Sequence, residues 1–283
     1  MEESMPAAVR TRALVPRSAE SGFLGPLIRL ARSMPRRAVL GGGMILLVLA
    51  SWEVLSARDI INSTFFSSPS RAIVKLYDIF ATGYIWPHLW SSASAYIIGF
   101  LIAIVIGVIL GTLIAWYKVI SDAFEPLILA FYSVPRIAMI PLLILIIGFG
   151  AQYKIVCVVL LTFFPILINT IAGVKNVDLS LIRMSKSFGA TDAQLFRTVA
   201  VPAAVPYILA AIRQSSAHGM TGVVAAEFFA SHKGLGYVIA RSTETFQSDQ
   251  IYAVILILAV TGVLMVSIVQ RVESSLLKWR PER

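Results

Sequence analysis

Long apolar runs alternate with short polar segments along most of this chain. The stretch from Leu89 to Tyr117 contains no charged residue. Several runs exceed the roughly 20 residues a helix needs to cross a bilayer. The pattern predicts six spans at residues 38–57, 88–116, 122–148, 153–174, 203–229 and 251–272. The expected fold class is an all-α membrane protein. The first run is not read as a secretory signal, because the region before it is too long and lacks a fitting cleavage site.

One polar stretch breaks the rhythm. Between the fourth and fifth spans lies KSFGATDAQLFRTVAVPAAVP, from Lys186 to Pro206. Gly189 can stop a short helix, because glycine accepts the left-handed conformation. Thr191 can start the next one, with Gln194 three residues on completing a capping box. Pro202 and Pro206 are expected to punctuate the start of the following span. A plain connection could be much shorter, so this helix-turn-helix suggests a docking element.

The third span is irregular. It holds Pro126, Pro135 and Pro141, with Arg136 directly after the second. Proline removes a backbone donor and disfavours helix at the preceding residue. A helix break near Pro135 is therefore expected, and a break at membrane depth must be buried in protein or line a cavity. The segment 58–87 reads as a short helix plus loops, and the glycines of Gly234–Ile239 suit a close turn at the membrane surface. Residues 1–21 are polar. From Ser21 to Arg37, apolar and arginine residues alternate, which fits either an interfacial helix on an anionic leaflet or an untidy basic flank. The organisation is thus a tail at 1–37, a six-helix domain at 38–275 with a loop at 178–202, and a tail at 276–283.

Composition agrees: 58% of residues are hydrophobic and mean hydropathy is +0.82. The net charge is +9. With the N-terminus inside, 16 Lys and Arg fall on inner segments and 6 on outer ones. The positive-inside rule then puts both termini and the helix-turn-helix in the cytoplasm. The basic residues are scattered among loops, which argues against nucleic acid as a partner. A single cysteine, Cys157, allows no intrachain disulfide, and three histidines without a cluster argue against a metal site.

No nucleotide-binding loop or catalytic signature is present, so no cofactor and no catalytic residue are expected. Uphill transport would need ATP handled by another chain, or an ion gradient.

Further segments carry a family resemblance. Gly189, Val199 and Val201-Pro202 are spaced like the glycine, isoleucine and Leu-Pro of a cytoplasmic signature, although its acidic triplet is replaced by Arg183, Met184 and Ser185. Gly222–Phe229, Gly234–Ile239 and Ser133–Gly150 add to the match. Over about residues 38–275 the chain resembles the membrane subunits of bacterial ABC importers, the binding-protein-dependent permeases. Within them it looks like the subgroup importing nitrate, sulfonates, taurine and related solutes. The resemblance implies a type I importer fold and location in the inner membrane. It also implies partners: ABC ATPase subunits, a second permease subunit (a homodimer is expected) and an external binding protein. The ATPase-facing set would be Ser185, Ser187, Phe188, Gly189, Ala190, Thr191, Asp192 and Gln194.

Polar residues inside spans are costly and mark function by default. Arg136 could snorkel, pair with an acid, or face a cavity and attract an anion. Gln214, His218 and Thr221 share one helical face, with Ser215 beside them. They could line a pathway or bond between helices. The expected pathway set is Ser133, Arg136, Gln214, His218 and Thr221. Glu227 is assigned to pairing or capping near the Gly234–Ile239 turn. An ion-coupled secondary transporter is the competing reading, and a non-transporting scaffold is a third. The secondary transporter leaves the helix-turn-helix without a task.

Overall fold

The structure is a computed structural model that describes residues 36–62 and 65–278. The possible interfacial helix at Ser21–Arg37 falls almost wholly outside the described residues. Eleven α-helices run in order among those described: α1 (Arg36–Ala57), α2 (Pro69–Ala81), α3 (Trp86–Trp116), α4 (Lys118–Ser133), α5 (Ile140–Ile147), α6 (Ala151–Lys175), α7 (Leu179–Ser187), α8 (Asp192–Leu195), α9 (Val201–Ala230), α10 (Leu235–Glu244) and α11 (Ser248–Leu276). By length and composition, α1, α3, α6, the α8–α9 rod and α11 are long and apolar enough to cross a membrane.

The third predicted span is not a single crossing helix. Its halves, α4 and the unit Arg136–Ile147, meet at 85°. Val134 and Pro135 are extended, and a 3-10 turn over Arg136–Met139 leads into α5. The cause is local: Pro135 supplies no N–H and biases Val134 out of the helical region.

The centre of the bundle is α6, packed lengthwise against α3 and α9. Small residues permit the close approach. On α3, Ala95, Gly99, Ala103, Gly107 and Gly111 recur every fourth position, so they share one face. A Cβ on Gly107 would lie 2.9 Å from Ile166 Cγ2, and one on Gly111 would lie 2.9 Å from the Leu167 carbonyl. The α6–α9 contact works the same way, with Gly173 under Tyr207 and Gly222 against the Cys157 carbonyl.

Around this centre, α1 and the outward faces of α3 and α11 are exposed and apolar, as surfaces in lipid must be. At one end, α2, α10 and the start of α11 form a cap over a cluster of Ile79, Ile85, Leu235, Val238 and Val254. Ser68 caps α2 by accepting from the Arg71 N–H, and Glu53 on α1 accepts from the Ser70 backbone and hydroxyl at 3.0 and 2.7 Å. The short helix expected within 58–87 is α2.

Candidate functional site: a capped turn and a polar helix face

Helix α7 starts at Asp178, whose carboxylate accepts from the Ser180 N–H at 2.8 Å. The Ser180 backbone and hydroxyl hold the Asp178 carboxyl below its ordinary value of 3.8. The helix ends at Gly189, with φ +78°. The Ala190 N–H reaches the Ser185 carbonyl at 3.1 Å and the Gly189 N–H reaches Lys186 at 2.9 Å. These two bonds make a Schellman motif, which satisfies carbonyls the helix end leaves open.

Two residues later Thr191 caps α8. The Gln194 N–H donates to the Thr191 hydroxyl at 3.3 Å, and the Thr191 N–H donates to Gln194 Oε1 at 2.8 Å. The capping box is complete. Lys186 and Asp192 lie 3.6 Å apart across the turn, both exposed, so their pairing adds little. At the tip Phe188 is 85% exposed, with Met184 and Leu179 also open on α7. The structure thus brings Ser185, Ser187, Phe188, Gly189, Ala190, Thr191, Asp192 and Gln194 into one compact turn.

The second short helix differs from expectation. It does not stop before the fifth span. Asp192–Ala230 is one rod of 39 residues. A π turn over Phe196–Ala200 joins α8 to α9, with the Val201 N–H reaching back to the Phe196 carbonyl. That wider turn gives the Pro202 ring room where an α turn would clash. Phe196 packs edge-on against Trp116 at the end of α3, with ring centroids 4.9 Å apart.

The residues expected along a pathway are distributed as follows. On α9, Gln214 and Thr221 are exposed and His218 is half-buried, on one face. His218 Nδ1 lies 3.1 Å from the Gln214 carbonyl, and the Thr221 hydroxyl donates to Ala217. Ser215 is fully buried on a different side of the helix, so it does not join this face. Arg136 is half-buried. Its guanidinium donates to the Leu161 carbonyl at 3.3 Å and stands over the Tyr132 ring at 4.9 Å. Among the described residues, no carboxylate makes an ion pair with Arg136. Ser133 turns back on its own helix, donating to Leu129. Arg213 is engaged elsewhere, in an ion pair of 3.1 Å with Glu273 on α11.

Of a polar node at the opposite end of α9, sequence reasoning found Glu227 and missed Lys154. Glu227 and Lys154 are buried and paired at 3.3 Å. The Ser92 hydroxyl and the Gly236 N–H also bond the Glu227 carboxylate. Lys154 falls inside the predicted fourth span, where a charge is costly. It points into the bundle, because it has Glu227, the Ser91 hydroxyl and the Lys233 carbonyl as partners. A lysine within the predicted fourth span was the available signal. Glu227 itself sits at the turn to which it was assigned.

Comparison with known proteins places this geometry. Residues 103–278 match the family described as the binding-protein-dependent transport system inner membrane component. SsuC of Bacillus subtilis (strain 168), whose name assigns it provisionally to aliphatic sulfonates transport, is 32% identical over 82% of this chain and 84% of its own. The formylaminopyrimidine transport permease ThiX of Halalkalibacterium halodurans is 31% identical, over 84% of this chain and 94% of its own. In fold, the chain is similar to a chain of the inward-facing MetNI methionine ABC transporter. That match has a TM-score of 0.57 at 21% identity and covers 68% of this chain and 97% of the other. Built as a bundle of apolar spans around a capped, exposed turn, this chain belongs to the binding-protein-dependent transport family and is a permease subunit of an ABC importer, ATP hydrolysis residing on a separate chain.

Proposed function

We propose that two copies of this permease form the translocation pathway for a small anionic solute, with the turn at residues 178–202 seated on the ATPase. The observation that carries this reading is the build of the turn. A Schellman motif and a capping box fix its shape, while Phe188 is left 85% exposed at the tip. A rigid turn offering an apolar tip suits insertion into a groove. Both termini lie on the ATPase side, by the distribution of Lys and Arg. A binding protein delivers solute to the other face.

The anionic solute rests on Arg136. A guanidinium presents a planar, positively charged fork that matches a carboxylate or sulfonate. Arg136 follows a break in the bilayer-depth helix, where a half-helix start adds a positive dipole end. Gln214, His218 and Thr221 offer hydrogen bonds along one face of α9. Relatives named for a sulfonate and for a formylaminopyrimidine indicate that the family scaffold does not dictate the solute.

Two measurements test the reading. Purification of the tagged permease should recover an ATPase chain in stoichiometric amount. A lone, active permease would favour ion-coupled transport instead. In the recovered complex, Arg136→Gln should lower sulfonate uptake more than it lowers assembly or basal ATP hydrolysis. Equal loss of all three would remove Arg136 from the pathway.

A further inference from the structure

The node around Glu227 joins four elements that lie far apart in the sequence. Helix α10 begins at Gly234, and its first N–H groups have no partner within the helix. The structure fills them from outside. The Gly234 N–H donates to His88 Nδ1 at 3.1 Å, the Leu235 N–H to the Ser92 hydroxyl at 2.8 Å, and the Gly236 N–H to Glu227 at 3.0 Å. Helix α10 is therefore capped by α3 and α9. Lys154 on α6 neutralises the carboxylate at 3.3 Å and holds the Lys233 carbonyl at 3.0 Å. Glu227 is 1% exposed and Lys154 4% exposed. A buried pair of this kind is weak evidence for stability, since an apolar replacement often serves as well. Its better-attested use is to fix one arrangement.

Glycine keeps the arrangement tight. A Cβ on Gly234 would overlap the Glu227 carboxylate, and one on Gly236 would strike the Val224 carbonyl. Glu227 lies three residues from the end of the rod that begins at Asp192, beside the capped turn.

We infer that α9 and the α10 cap form a single lever: Glu227, held by Lys154, locks the outer cap to the rod whose inner end is the coupling turn. Motion imposed at residues 189–195 then arrives at the outer face undiluted, and a partner touching the cap is felt at the turn. Glu227 and Lys154 are positioning residues in this account. The inference rests on the coupling-turn reading for the source of the motion, but not for the lock.

The test is an intrachain distance in the full complex with its ATPase, in lipid vesicles. Spin labels go on Thr198→Cys and Thr243→Cys in a Cys157→Ala background; both labelled residues are exposed. With the node intact, the distance should be the same without nucleotide and in the vanadate-trapped state. Glu227→Gln and Gly234→Ala should broaden the distribution and make it differ between the two states, while ATP hydrolysis continues and uptake per ATP falls. Should Glu227→Gln fail to assemble, Lys154→Met with Glu227→Leu keeps the packing and removes the lock, and the same loss of constancy is expected. A distance that changes between states in the intact protein overturns the lever. So does a distance that stays narrow and constant in Gly234→Ala and the double variant. Failure of the coupling-turn reading would look different: the ATPase would bind equally well to variants of Gly189.

Discussion

Replacement of Gly189 isolates backbone strain from crowding. Its φ is +78°, and a Cβ placed there would meet nothing within 4 Å. Within this chain, any loss on substitution therefore comes from the left-handed conformation itself, and Asn, larger than Ala, separates that strain from crowding against the ATPase. That conformation costs an L-residue roughly 1–2 kcal/mol, with asparagine tolerated best because its side chain bonds locally. A β-branched residue is worse still, being a genuine outlier there. The two Schellman bonds from Gly189 and Ala190 are at stake, because the turn can relieve strain only by opening them. If ATPase docking needs the closed turn, 1–2 kcal/mol lowers apparent ATPase affinity by about 5- to 30-fold. The expected order of affinity is Gly, Asn, Ala, Val, measured by ATPase binding to permease in nanodiscs. Membrane levels should stay near normal in all four, since the turn is exposed. Equal binding by Gly189→Val and the unaltered protein would refute the argument. So would a loss in Gly189→Asn as large as that in Gly189→Val, because strain alone separates them.

Thr191→Ala removes the hydroxyl that caps α8 and should cost about 0.5–2 kcal/mol locally, seen as ATPase release at lower temperature with expression unchanged. Gly107→Leu must drive α3 away from Ile166 and should destabilise the bundle by about 1–3 kcal/mol or more, read as a lower unfolding midpoint in detergent, whereas Gly262→Leu, with open space around it, should not. For the orientation, an impermeant thiol reagent on intact cells of a Cys157→Ala strain should label Thr243→Cys and spare Ser187→Cys; the opposite result inverts the topology.

The capped turn was legible because its signals are local. Gly189, Thr191 and Gln194 act within a few residues of each other, so composition at fixed spacing specifies the bonds. The long spans were legible for a similar reason: the free energy of each apolar run depends on the run itself. The break at Pro135 also follows from a covalent ring and its effect on one neighbour.

Tertiary structure decided what depends on distant partners. Pro202 read as a boundary, but packing of Phe196 on Trp116 and a π turn carry the helix through it, giving a rod of 39 residues. The angle at Pro135 was not readable either; a missing hydrogen bond permits a bend, and only the surrounding helices set it at 85°. Ser215 looked like a neighbour of the Gln214 face, yet one position on a helix is a rotation of about 100°, enough to turn it into the bundle. The repeat of Ala95, Gly99, Ala103, Gly107 and Gly111 was present in the letters, but which helix it meets is fixed by the fold. Lys154 and Glu227 lie 73 residues apart. Each alone is an expensive charge near a span, and only packing of α6 against α9 makes them a pair. Local chemistry determined the turn and the spans; burial of charge and close packing of small residues determined how they work together.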